Sequence, residues 1–295
     1  MDEDAQFALD RASVRRSFDR ASTTYDAAAV LQREVRGELL RRLEFVDLTP
    51  RVIVDAGAAT GHGSRALKRR YPLARVIAVD SAHGMLRAAA RQQSWRRRFD
   101  RVCADAAHLP LGDGSVDLIL SNLLLHWCAT DELFGEFRRV LAPRGLLSFT
   151  SLGPDTLREL RSAWARADAQ GHVNPFIDMH DLGDALVRAG FAAPVLDVER
   201  YTLMYAHVRG VMRDLKDAGA HSALVNRPRG LTGRRKFTAM LAAYEDFRRD
   251  GRVPATYEIV FGHAWAPLAG RTPQRADTAI SVDALRRQLR QRPPP

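Results

Sequence analysis

VDAGAATGHG, residues 54–63, is the stretch on which the fold turns. An apolar run, RVIVD (51–55), ends in Asp55 and passes straight into a glycine-rich turn. Gly57 and Gly61 allow tight backbone angles there and a close approach of main chain to a ligand. The pattern excludes two common phosphate cradles. A dinucleotide fingerprint wants glycine where Ala59 and His62 stand, and no lysine follows as a phosphate loop requires. The shorter turn suits a nucleoside-like ligand with no pyrophosphate to cradle.

Working outward, RVIAVD (75–80), DRVCAD (100–105), SVDLILSN (115–122) and GLLSFTSL (145–152) read as further strands. Helical spacing fills 64–71, 85–97 and 131–141 between them. Such alternation implies βαβ units and a mostly parallel sheet covered on both faces. In sheets of this kind ligands gather at the carboxyl ends of the strands, near the switch point. Asp55, Asp80 and Asp105 follow at intervals of 25 residues, each at the end of an expected strand. Asp80 is positioned to accept hydrogen bonds from two ribose hydroxyls. Asp105 can accept from an adenine amino group while the Ala106 N–H faces a ring nitrogen. A single aspartate there is an ordinary turn residue; three in succession beside a glycine turn point to a site.

The second half departs from this rhythm. Helical spacing at 155–169 and 181–189 precedes a strand at 194–204, and helices at 207–218 and 233–249 precede a last strand at 255–266. Roughly fifty residues separate the last two strands, far more than a hairpin loop. They read as a helical cap, about 205–254, packed over the carboxyl edge. Residues 14–43 read as an N-terminal lid helix within a 14–266 domain, 1–13 as a flexible start, and 267–295 as a disordered Arg/Pro-rich tail.

Composition narrows the function classes. The two cysteines, Cys103 and Cys128, have no metal-type spacing, so neither a disulfide framework nor a cysteine zinc site is expected, and no metal is. No apolar run approaches the about 20 residues of a membrane span, and MDEDAQFALD lacks a signal-peptide layout, so a cytoplasmic protein is expected. The net charge of +10 fits an acidic protein partner, an anionic substrate, nucleic acid or simply a solvated surface. Without a recognisable RNA-binding module, and with 7% aromatic residues, nucleic acid is the weaker choice.

DAGAATG, VDSAHGML, ADAAHLPL, DLILSNLLLHW and LAPRGLLSFTS together resemble the ordered motifs of class I S-adenosylmethionine (SAM)-dependent methyltransferases, over about residues 50–151. Ala59 departs from that pattern, where the family usually has glycine. Segments outside the shared motifs go further: FDRASTTYDAAAVLQREV, FTSLGPDTLRELRSAW, NPFIDMHDLGDALVRAGF, RDLKDAGAH, GLTGRRKF and ATYEIVFGHAW resemble the malonyl-acyl-carrier-protein O-methyltransferases of biotin synthesis. His126 stands where many members are expected to have glutamine.

The resemblance implies a Rossmann-like α/β fold, a seven-stranded sheet with its last strand antiparallel and a helical cap between the last two strands. It implies SAM as cofactor and malonyl-loaded acyl-carrier protein as partner. Gln32, Asp55, Gly57, Ala59, Gly61, Asp80, Ser81, Met85, Asp105, Ala106 and Asn122 become the expected cofactor set. Tyr25, Asn122 and His126 become positioning residues at the methyl-transfer point, lined also by Leu123 and Trp127. His62 has no metal-ligand partner and reads as loop structure. A carboxylate nucleophile needs no general base, being ionised at pH 7. It calls for a cation or several donors, with Arg213, Lys216, Arg229, Arg234 and Arg235 of the cap as candidates for substrate or carrier. Rival readings are an arginine-hydroxylating complex I assembly factor, a methyltransferase acting on RNA or a quinone precursor, and a SAM-binding scaffold without activity.

Overall fold

The computed structural model describes residues 9–168, 171–225, 230 and 232–268. Seven strands form one sheet: β1 (Val52–Ala56), β2 (Arg75–Asp80), β3 (Asp100–Cys103), β4 (Val116–Asn122), β5 (Leu141–Leu152), β6 (Ala192–Tyr205) and β7 (Val253–Trp265). Their order is β3-β2-β1-β4-β5-β7-β6. β1 to β5 pair in parallel, and β7 runs antiparallel to both β5 and β6. The order reverses between β1 and β4, which opens a crevice at their carboxyl ends.

The period-two alternation of the strands sorts side chains onto two cores. Ile53 and Leu118 join one face with α3 (Val30–Arg42), α4 (His62–Arg70), α5 (His83–Arg91), α7 (Arg158–Ala167), α9 (Val208–Asp217) and α10 (Arg234–Glu245). Val54 and Ile119 join the other with α6 (Thr130–Val140) and α8 (Met179–Arg188), where Phe134, Phe137 and Phe149 are fully buried. Burying each such phenyl group contributes about 1.5–3 kcal/mol.

Three boundaries differ from the sequence expectation. Order begins earlier than residue 14: Leu9 bridges to Leu224, and α1 (Arg11–Ala21) starts behind an Asp10 cap whose carboxylate accepts from Ser13 N at 2.9 Å. The expected lid helix 14–43 is three helices, α1, α2 (Tyr25–Ala28) and α3, with a short 3-10 turn at Leu43–Phe45. Its first break falls at Ser22–Thr24, where side-chain hydroxyls bond back to the Asp19 and Ala21 carbonyls and compete with the helix ladder. α5 stops at Arg91 rather than 97: Gln92 caps it, Gln93 N turns to the Ala90 carbonyl three residues back, and the two side-chain amides reach Asp26 and the Phe99 carbonyl. α9 and α10 occupy the insertion between β6 and β7. The expected tail from 269 onward and residues 1–8 lie outside the described residues.

Candidate active site

The glycine turn leaves β1 through three left-handed residues, Gly57 (φ 72°), Ala59 (φ 45°) and Gly61 (φ 75°). This curls the main chain under the crevice. At the end of β2 the Asp80 carboxylate accepts from Ala59 N and Ala82 N, both at 2.8 Å. Each oxygen keeps a further lone pair for a ligand. Burial pushes the Asp80 carboxyl up to about 6, against the lowering effect of those two amides, and Asp55 and Asp19 add to the rise. Asp80 lines a cavity of about 330 Å³ together with Gly57, Ala59, Ser81, Asp105, Ala106 and Asn122. Asp105 lies two residues beyond β3 and accepts from Ala107 N at 3.0 Å. Its other oxygen faces Arg11 at 3.5 Å.

The helices before β1 close over this cavity. Asp26, beside Tyr25 in α2, accepts from Thr60 Oγ1 (2.6 Å) and Gln92 Nε2 (2.7 Å), and His62 Nε2 lies 3.3 Å away. Gly84 N donates to Asp19 at 2.7 Å, and Asn122 Nδ2 donates to the Gln32 carbonyl at 3.1 Å. His62 is thus part of the clasp between lid and turn.

A second cavity, about 470 Å³, lies under the cap and is walled mainly by apolar side chains, among them Leu157, Trp164, Phe176, Met212 and Tyr257. Phe18, Tyr25, Leu123 and Trp127 line both cavities, so the two meet there. At that junction Phe18 packs edge-on against Trp127, with ring centroids 5.5 Å apart. Burial, then the Asp80 charge, pushes the Tyr25 phenol well above its ordinary value, so it remains a donor. Burial also pushes the His126 ring down to about 3, and its shielded Nδ1 has no hydrogen-bond partner among the described residues.

Comparison with known proteins identifies this arrangement. Residues 54–149 match the family model described as a methyltransferase domain. The chain is 55% identical to the malonyl-[acyl-carrier protein] O-methyltransferase of Methylovorus sp. over 270 residues, 89% of this chain and 91% of that one. It is 49% identical to the protein of the same name from Halorhodospira halophila, over 97% of this chain and 99% of that one. The chain belongs to the malonyl-[acyl-carrier protein] O-methyltransferase family. It is therefore a SAM-dependent methyltransferase, and the hydroxylase and inactive-scaffold readings lose their support. In fold it is similar to the YcgJ protein of Bacillus subtilis (14% identical, TM-score 0.57, covering 80% of this chain and 99% of that one). It is likewise similar to a SAM-dependent methyltransferase of Thermotoga maritima (16% identical, TM-score 0.51, covering 86% and 99%).

Within this methyltransferase several expected site residues lie elsewhere. Asp55 does not line the cofactor cavity: it shares the parity of Ile53, points under α4 and accepts from Ser64 Oγ at 2.6 Å. Gly61 is packed against Ala89 and Phe99, and Met85 is fully buried beneath Ala82 and Ala21. Gln32 lines the cavity under the cap rather than the cofactor cavity, whereas His126, expected at the transfer point and not in the cofactor set, lines the cap cavity. The Asn122 amide is engaged with Gln32 and with Thr150 Oγ1, at 3.1 Å each, so it ties lid to sheet. Among the described cap cations of the expected set, Lys216 alone lines the cap cavity. Arg213, Arg234 and Arg235 are exposed, because Met240 and Tyr244 take the inward face of α10 and Val208 and Val211 that of α9. Arg229 lies outside the described residues.

Sequence reasoning also passed over residues that the structure brings in. Arg11, Arg15 and Phe18 of α1 line the cofactor cavity, as do Cys103 and Cys128. Arg36 of α3 is half-buried; burial lowers its pKa, and Tyr25, Asp55 and Asp26 oppose that. The spacing of Arg11, Arg15 and Phe18 on one helical face was the available signal.

Proposed function

We propose that this methyltransferase moves a methyl group from SAM to the free carboxylate of a malonyl thioester on acyl-carrier protein, giving the methyl ester that primes biotin synthesis. The observation that carries the reading is the meeting of two cavities at Tyr25, Leu123 and Trp127: a polar-edged one sized for a nucleoside, and an apolar one open to an acyl chain. The relatives' names supply the substrate. SAM, when bound, supplies an electrophilic methyl on a sulfonium. Asp80 would receive the ribose hydroxyls, and Ala106 N–H and Asp105 the adenine edge.

The chain's own work is to desolvate and aim the substrate carboxylate. A malonyl carboxyl is ionised at pH 7, so the transfer itself requires no general base. Tyr25 donates its phenol hydrogen to that carboxylate. Neutral His126, which lines the cap cavity, donates its Nε2–H, the ring nitrogen that is not shielded. Phe18 and Trp127 exclude water from the transfer point. The exposed Arg213, Arg234 and Arg235 form a basic face toward the acidic carrier, which speeds encounter and makes it salt-dependent.

The direct test is cofactor-product release with malonyl- and acetyl-loaded carrier proteins side by side. Turnover of the malonyl form alone is expected. Release with the acetyl form or RNA, and none with the malonyl form, overturns the proposal.

A further inference from the structure

α1 carries a polar stripe that the cofactor cavity does not use. Ser13, Arg16, Ser17 and Arg20 recur at intervals of three and four, so they share one face of the helix. With His221 they line a surface concavity of about 340 Å³. The stripe faces chain 217–224, and the seam is stitched at both ends: Asp10 N donates to Ala223 O at 2.9 Å, and Thr24 Oγ1 donates to Asp217 O at 2.8 Å. Gly219, at φ 76°, makes the approach possible, since a Cβ there would meet Phe18 Cδ1 at 3.0 Å. His221 lines both this concavity and the 470 Å³ cavity under the cap. The stripe therefore borders the cap cavity.

The chemistry of the stripe suits a tetrahedral anion. Among the described residues the carboxylate paired with Arg16 is Asp10, at 3.9 Å, and the Arg16 side chain is 56% exposed. That pairing is too long and too wet to neutralise the guanidinium. Arg20 lies one turn further along the same face, on the last turn of α1. Two forked cations with a hydroxyl beside them match phosphate oxygens better than they match a single carboxylate. An acyl group on a carrier protein arrives on a pantetheine arm joined to the protein through a phosphodiester. An arm that fills the cap cavity with its thioester end at Tyr25 and Trp127 would leave its phosphate at a border of that cavity, and His221 marks one such border.

We propose that Arg16, Ser17 and Arg20, with His221, form a subsite for the phosphodiester of the carrier's pantetheine arm, so that the arm is gripped at the rim while its apolar length fills the cap cavity. This rests on the carrier-substrate reading above. It differs from docking of the carrier's own surface: the group bound is the arm's phosphate, present equally in free phosphopantetheine.

The test compares the wild-type enzyme with an Arg16→Gln/Arg20→Gln double variant. Calorimetry with phosphopantetheine and with phosphate-free pantetheine reads the subsite without turnover. Affinity for the first is expected to fall about tenfold or more in the variant, the scale of one lost charge-assisted hydrogen bond, while affinity for the second stays unchanged. KM for malonyl-loaded carrier and for malonyl-phosphopantetheine should rise by a similar factor at constant kcat, with S-adenosylhomocysteine binding intact. Equal losses for phosphate-bearing and phosphate-free ligands overturn the proposal. So does an effect confined to the carrier protein, which would assign the arginines to its surface carboxylates. Failure of wild-type turnover on every malonyl substrate would sink the substrate reading instead, leaving the calorimetric result to judge the subsite.

Discussion

Replacing Asp80 by asparagine should separate cofactor binding from stability. The carboxylate sits at the end of β2 with each oxygen already accepting one backbone N–H, from Ala59 and from Ala82. Its remaining lone pairs are the proposed partners of two ribose hydroxyls. Charge-assisted hydrogen bonds contribute about 1.5–3 kcal/mol each. Asparagine keeps one acceptor oxygen, so the net loss is about 3–4 kcal/mol, or roughly a hundred- to a thousandfold in affinity. The apo protein responds differently. The Asp80 carboxyl is pushed from an ordinary 3.8 up to about 6, chiefly by burial. At pH 7 the ionised form thus costs about 3 kcal/mol, at 1.36 kcal/mol per unit. The neutral isostere removes that cost and forfeits one amide acceptor, a loss of about 1–3 kcal/mol. Melting temperature without ligand should hold or rise, while the thermal shift produced by S-adenosylhomocysteine disappears. Calorimetric titration gives the affinity directly. An unchanged dissociation constant, with the variant folded, would refute the assignment of Asp80 to the ribose.

The same carboxylate sets a pH dependence. Its folded pKa is raised, so the folded state binds the proton more readily, and this group's contribution to stability declines as pH rises from about 3.8 to 6 and is flat above. Ribose hydroxyls favour the charged form, so S-adenosylhomocysteine affinity should fall about tenfold per unit below pH about 6, read by titration across that window. His126→Gln should retain most activity, whereas His126→Leu should lower kcat/KM roughly ten- to a hundredfold, the range of a hydrogen bond to a charged group; equal rates for the two variants would remove His126 from the transfer point. Arg234→Glu with Arg235→Glu should raise KM for the carrier several-fold at low salt and flatten its salt response, measured by steady-state kinetics. Ala59→Gly relieves a left-handed alanine at φ 45° and should raise stability by about 1 kcal/mol, checked as a denaturant midpoint.

Much of the fold was readable because its signals are local. Apolar runs closed by aspartate, and glycine at a turn, report strand ends without knowledge of neighbours. The sheet edge thus came out with Asp80, Ser81, Asp105 and Ala106 together at one cavity. Side-chain direction was harder. Asp55 shares its strand parity with the buried Ile53, which already implied a turn toward α4 rather than toward the ligand. Arg235 lies opposite the Phe237, Met240 and Tyr244 face of its helix, so periodicity places it outside, whereas Arg234 shares spacing with Phe237 and is exposed because it opens the helix. What no local pattern shows is the cap cavity. Trp164 stacked on His172 at 3.7 Å, Phe176 beside His126, and chain 217–224 against α1 are brought together by long-range packing alone. The lid divides for a local reason: Ser22 and Thr24 interrupt a helical pattern that hydrophobic spacing alone carries through.

The central claim is where the methyl group goes. Tandem mass spectrometry of malonyl-loaded acyl-carrier protein after incubation with the enzyme and methyl-labelled SAM locates it on the product. The account requires one labelled methyl on the terminal carboxylate of the malonyl group, removable by mild base. Label elsewhere on the carrier, or an unlabelled malonyl group after full consumption of cofactor, would contradict it.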